Sequence, residues 1–259
     1  VYNFTFTFMR HNSVHYLPLH VHIGIIGWFL LLVIGVASRL IPLFLISKFS
    51  NPGILWLIFW LVNLSLLLFI LIFYFLPISY SLIPDVMLFA AILLFIYYCI
   101  AAYKQRIRKQ VDEQVRLSLL SAIMMALPLI LLFIILLIFI NRKAENNAFM
   151  VAYGFIIFFG WITAIILGMT FKTLPFIVWN KVYRKRSGQG KTPSPKDMFS
   201  NTVFKIMCVA YLLGFIIFIC GLLFPQSILL KPGALLLLIT AILYNWNVIK
   251  IFTHKAQLK

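Results

Sequence analysis

Seven long apolar stretches dominate the sequence, and each is long enough to cross a lipid bilayer as a helix. Spanning the hydrocarbon core takes about 20 predominantly apolar residues in α-helical form. Runs of that length occur at about Leu17–Ile46 (α1), Ile54–Leu76 (α2), Pro84–Tyr103 (α3), Leu117–Ile140 (α4), Phe149–Trp179 (α5), Thr202–Leu223 (α6) and Gly233–Phe252 (α7). None alternates with a period of two, so a membrane β-barrel is excluded. The chain is 64% hydrophobic and 10% charged, whereas soluble domains run near ~45–50% apolar and ~25% charged. It therefore reads as an all-α integral membrane protein, a single transmembrane helical domain over residues 1–259 with the lipid bilayer as its first partner.

The formal charge of +17 belongs to the loops. Lys104, Arg106, Arg108, Lys109 and Arg116 follow α3, and Lys181, Arg184, Lys185, Arg186, Lys191 and Lys196 follow α5. Lys48 follows α1, and Lys255 and Lys259 follow α7, while Pro77–Ile83 has no basic residue. Basic residues mark cytoplasmic loops. The pattern puts the N-terminus outside, the C-terminus in the cytoplasm, and loops 104–116 and 180–201 on the cytoplasmic side. The charge thus needs no nucleic acid, only anionic lipid. Spacing of Arg108, Asp112 and Arg116 at i,i+4 predicts that α3 or α4 extends through this segment as helix. Gly190-Lys191-Thr192 ends like a phosphate-binding loop, but Lys185 stands where the first glycine belongs and no strand precedes it.

Cys208 and Cys220 are about 18 Å apart along one helix, so no disulfide framework is expected from the three cysteines. Val1–Met9 lacks the basic leader and cleavage site of a signal peptide. A longer polypeptide, of which this is the C-terminal part, is one expectation from that start.

Helices α1 and α5 carry one frame (about 17–46 and 150–179). Gly27, Trp28, Gly35 and Pro42 recur as Gly160, Trp161, Gly168 and Pro175, and basic Arg39 recurs as Lys172, all 133 residues apart. Small residues allow close helix approach in lipid. Snorkelling is the default reading of Arg39 and Lys172. Where the first copy has His20 and His22, the second has Tyr153 and Phe155.

Four of five histidines, His11, His15, His20 and His22, lie within twelve residues. Ionisable groups at membrane depth are costly and usually have a task. His20 and His22 are separated by about 200° of helical rotation and cannot chelate one ion. They can serve two sites on opposite flanks, and neutral imidazole is a good axial ligand for haem iron. Gly24 and Gly27 leave the helix surface bare for a flat macrocycle or a neighbouring helix. Hydrogen-bonded interfacial histidines are the alternative. His11, His15 and His22 would share a helical face and could hold copper or zinc. Asn63, Ser65, Asn245 and Asn247 are expected to bond between helices. The five acids, Asp85, Asp112, Glu113, Glu145 and Asp197, read as helix ends or loops.

The run His20-Val21-His22-Ile23-Gly24-Ile25-Ile26-Gly27-Trp28 resembles the tenth helix of subunit I of the haem–copper oxidases, and within that superfamily the His-Val-His-x-Gly-x-x-Gly-Trp motif of the C-type branch. The resemblance is specific over about 25 residues. It implies haem b, with His20 on a high-spin and His22 on a low-spin haem, and a twelve-helix bundle in three arcs of four of which these seven are the C-terminal part. No later histidine lies in a helix, so copper would need ligands from a preceding helical segment or other membrane subunits. A divergent relative such as the NnrS-type membrane haem proteins fits the outline. The implied activity is electron transfer or oxygen or nitric oxide chemistry. The alternative is a non-catalytic transmembrane subunit without cofactor; a secondary transporter ranks below both, because a four-helix repeat keeps its orientation.

Overall fold

Each of the seven apolar runs forms a helix in the computed structural model, which describes residues 13–107, 109–142, 147–184, 192–224 and 226–255. The spans are α1 Val14–Leu45, α2 Pro52–Phe75, α3 Ile78–Lys104, α4 Glu113–Asn141, α5 Asn147–Tyr183, α6 Asn201–Leu223 and α7 Ser227–Phe252. Among the described residues there is no β-strand, only an isolated bridge between Ser47 and Arg106. The protein is a multi-pass membrane protein by the length and apolarity of these helices.

Local chemistry sets the helix limits. Asn51 caps α2, its Oδ1 accepting from Ile54 N at 3.1 Å, with Pro52 in the first turn. Ser200 caps α6 through Val203 N. Helix α7 begins six residues before Gly233, with Pro232 inside it. Beyond that proline the two helices are in close contact: a Cβ at Gly233 would lie 2.8 Å from Phe218 N on α6. Neither α3 nor α4 continues through the segment between them. Helix α3 ends at Lys104 and Asp112 is extended (φ −60°, ψ 142°). Ile107 N donates to Ile46 O at 3.1 Å, and the Asp112 carboxylate bonds to lysines distant in sequence rather than lying along a helix.

The helices pack as two units, one of residues 1–108 with 136–142 and the other of 109–135 with 143–259. In the first, α2 lies along α3, and α1 packs on both. Leu30, Ile34, Ala37, Ile41 and Leu45 form the buried stripe of α1, and Ile58 and Val62 of α2 and Leu88, Ile92, Phe95 and Tyr98 of α3 are buried as well. The spacing of that stripe, three or four residues, is the helical repeat. In the second, α4 lies against α5 and α6 against α7. Phe155 stacks on Phe159, Phe215 and Phe218 (centroids 5.0, 5.7 and 4.6 Å).

Of the four polar residues expected to bond between helices, two do. Ser65 Oγ donates to Pro84 O at 2.8 Å, and Asn247, wholly buried on α7, bonds to both Ser200 N and Ser200 O. Asn63 and Asn245 instead donate to carbonyls four residues back on their own helices.

Helix α1 ends on a left-handed residue, Ile46 at φ 50°, ψ 52°, where Ser47 N reaches back to Pro42 O (2.9 Å). Glycine is usual at this position, because a β-branched side chain crowds the carbonyl there. Ile46→Gly is expected to raise stability by about 1 kcal/mol, read as an increase in melting temperature in detergent. Ile46 is exposed, so little packing is lost.

Candidate functional site

The first half of α1 is not one uniform helix. A 3-10 turn covers Ser13–Tyr16, an α-helical turn and a half covers Leu17–His22, a π-helical stretch runs Ile23–Leu30, and α-helix resumes at Leu31. Pro18 sits in the first turn of Leu17–His22, where its missing N–H costs nothing. π-Helical turns are rare and concentrate at functional sites. The second π-helical stretch, Ile156–Ile162 on α5, starts 133 residues after the first, so both members of the Gly-Trp frame are π-helical.

The histidines spread around this segment as their spacing dictates. His20 is exposed; His22 is half-buried on the opposite flank, its ring 4.8 Å from that of Phe69 on α2. His22 Nδ1 donates to Pro18 O at 2.7 Å. A carbonyl only accepts, so this bond puts the ring proton on Nδ1 and the lone pair of the neutral imidazole on Nε2, the arrangement a metal-ligating histidine uses. His15 lies on the α2 side as well, against Tyr16 and Phe73 (5.3 and 5.4 Å). His11 lies outside the described residues, and so does the complete three-histidine site expected from it. Among the described residues no three His, Cys, Asp or Glu side chains converge on one point.

The two glycines differ. A Cβ at Gly24 would meet nothing within 4 Å, whereas one at Gly27 would lie 2.7 Å from Leu66 Cδ2. Gly27 is therefore spent on the approach of α1 to α2, and Gly24 alone presents bare helix to the surroundings. Gly160, the counterpart of Gly27, likewise faces α6: a Cβ there would lie 3.0 Å from Phe215. Leu66 and Phe215 each lie fourteen residues beyond the start of their helix. On α6, Tyr211 Oη donates to Phe159 O and Gly160 O (2.8 and 2.6 Å), satisfying carbonyls of the wide turn. The residue one turn before Leu66 is Val62, which has no hydroxyl to offer.

Sequence reading missed the aromatic ladder Phe69 and Phe73 on α2. Their i,i+4 spacing was its only signal, and in a helix this apolar it has no contrast. Asp85 stands at a helix end, as expected: it lies in the first turn of the α-helical part of α3, Leu82–Lys104, is 5% exposed, and its Oδ1 has no hydrogen-bond partner among the described residues. A 3-10 turn, Ile78–Ser81, precedes it.

A separate polar centre lies in the second unit. Asp112, at the start of α4, pairs with Lys172 of α5 and with Lys196, at 2.6 Å each. Burial pushes its carboxyl up, but the two ammonium groups more than offset this and hold it down at about 2. Glu113 pairs with Lys205 at 3.1 Å.

The chain matches no protein-family model, no curated protein and no solved structure.

Proposed function

We propose that this multi-pass membrane protein binds haem b on α1, with His20 as an axial ligand and His22 as a second. The observation that carries the reading is the exposed His20 ring in the α-helical turn just before the π-helical stretch, one turn from the bare Gly24, where a flat macrocycle can approach the backbone. His20 fits an axial ligand as it stands. His22 has its tautomer set by Pro18, but Phe69 lies against its ring, so a haem on that flank requires Phe69 to move. The first haem therefore belongs to His20. The resemblance to subunit I of the haem–copper oxidases assigns it the high-spin role.

Bound haem supplies one-electron chemistry and a site for a diatomic gas. The chain's own contribution is an imidazole donor at His20, a bare approach at Gly24, an oriented imidazole at His22, and helices that keep the group out of water. A copper centre has no donor set among the described residues, so no step is assigned to copper. The basic loops support an orientation with the start of α1 outside a bacterial inner membrane and the segment between α3 and α4 in the cytoplasm.

The second reading is a non-catalytic transmembrane subunit of a larger complex, favoured by the histidine-free copy of the frame in α5. An optical spectrum separates the two. The purified protein is expected to show a Soret band and a reducible b-type pyridine haemochrome, both lost in His20→Ala. A colourless preparation after haem-supplemented expression overturns the haem reading and leaves the subunit.

A further inference from the structure

The two copies of the Gly-Trp frame hold the same residues in opposite environments. On α5 the frame is covered. A Cβ at Gly168 would strike Ser118 Oγ and lie 2.8 Å from Gln114 O, both on α4. Trp161 is 3% exposed, and Lys172, one turn past Gly168, reaches the Asp112 carboxylate at the start of α4. On α1 the matching positions are open. A Cβ at Gly35 would meet nothing within 4 Å, Trp28 is 69% exposed, and Leu32, Val36 and Arg39 are exposed along the same side. No ion pair to Arg39 forms among the described residues.

The rest of the arrangement is shared. Each frame helix packs through its first glycine on the helix that follows it, Gly27 on Leu66 and Gly160 on Phe215. What α5 has, and α1 lacks among the described residues of its own unit, is a helix on the other side with a hydroxyl, that of Ser118, over the second glycine and an acid at the cation. Close packing on glycine, together with a satisfied charge, is what holds helices together in lipid, where no hydrophobic drive separates protein from solvent.

We propose that the Gly35–Arg39 face of α1 docks a transmembrane helix of another polypeptide, as α4 docks on α5. That helix brings a carboxylate to Arg39 and small or hydroxyl-bearing side chains to Gly35. Two independent features on α1 specify it: the bare glycine sets the approach distance, and the cation one turn further sets the sign of the partner's charge. The face lies about three turns beyond Gly24, so it neither uses nor requires the haem site.

A photo-crosslinking amino acid at Val36, in the full chain and in its native membrane, tests this. One discrete membrane polypeptide is expected to be captured, its crosslinked peptide carrying Asp or Glu within about a turn of the site facing Arg39. Capture should fall at least tenfold in Arg39→Glu and in Gly35→Leu, persist in Arg39→Lys, and return when the partner's acid is changed to Arg in the Arg39→Glu background. Adducts with lipid alone, adducts with a second copy of this chain, or capture indifferent to Arg39→Glu overturn the proposal. The spectrum of the protein is read in parallel; haem loss with intact capture sinks only the haem reading.

Discussion

Gly168→Val is expected to unfold the second unit in detergent at temperatures where the parent chain is intact, while Gly35→Val in the purified chain changes stability by less than about 0.5 kcal/mol. The two glycines occupy one position of the repeated frame. A side chain at Gly168 would enter space held by Ser118 Oγ, Gln114 O and Ser118 N, two of them backbone or backbone-adjacent atoms that cannot rotate away. The α4–α5 contact must then open along its length, exposing Leu117, Leu167 and Phe171 from the core. Overpacking of this kind costs about 3 kcal/mol or more. At Gly35 an added side chain meets open space. Thermal unfolding followed by intrinsic tryptophan fluorescence, with both variants side by side, reads the difference. Equal melting temperatures would mean that α4 does not pack on α5 as described.

Asp112→Asn is the second large effect. The carboxylate is 8% exposed and Lys172 19%, so removing the acid strands a half-desolvated ammonium. Breaking such a pair costs about 3 kcal/mol. Lys196, 58% exposed, adds little in high dielectric, and Lys196→Ala should cost no more than about 1 kcal/mol. Asp112→Asn combined with Lys172→Met is expected to recover most of the loss, since the one ammonium then left without its carboxylate is that of the exposed, water-solvated Lys196. The pH dependence has a fixed sign. Asp112 is held at about 2 in the folded chain, below its ordinary 3.8. The unfolded state therefore takes up the proton first. The contribution of the pair is complete above about pH 4 and is lost as pH falls toward 2. A parent chain whose stability is flat from pH 5 to 2, relative to Asp112→Asn, would overturn this assignment.

Legibility in the sequence varied from element to element. The far ends of α2, α3, α6 and α7 were readable to within about a residue, because at each the apolar run meets a proline or a polar group. The start of α7 was not, since Pro232 reads as a helix start and only the fit of Gly233 on Phe218 carries the helix back to Ser227. Opposite flanks for His20 and His22 followed from their spacing alone. Which of the two meets a neighbour did not, because that depends on Phe69, which lies 47 residues beyond His22. Asp112 looked like a partner of Arg116 at i,i+4; the chain instead turns there, and acid and lysine meet across 60 residues.

By itself, the sequence determined an all-helical membrane protein, seven spans, a repeated frame in α1 and α5, and a cluster of histidines at one end. Hydrophobic length, loop charge and residue identity are local properties, and local properties survive without a partner. Tertiary structure alone decided that Gly168 is buried on α4 while Gly35 lies bare, that Gly27 is filled by Leu66 while Gly24 is not, and that Asp85 is buried. In water, an apolar stripe marks the covered face of a helix. In lipid, the covered and uncovered faces are equally apolar, so the pattern carries no contrast and only the packed neighbours distinguish them.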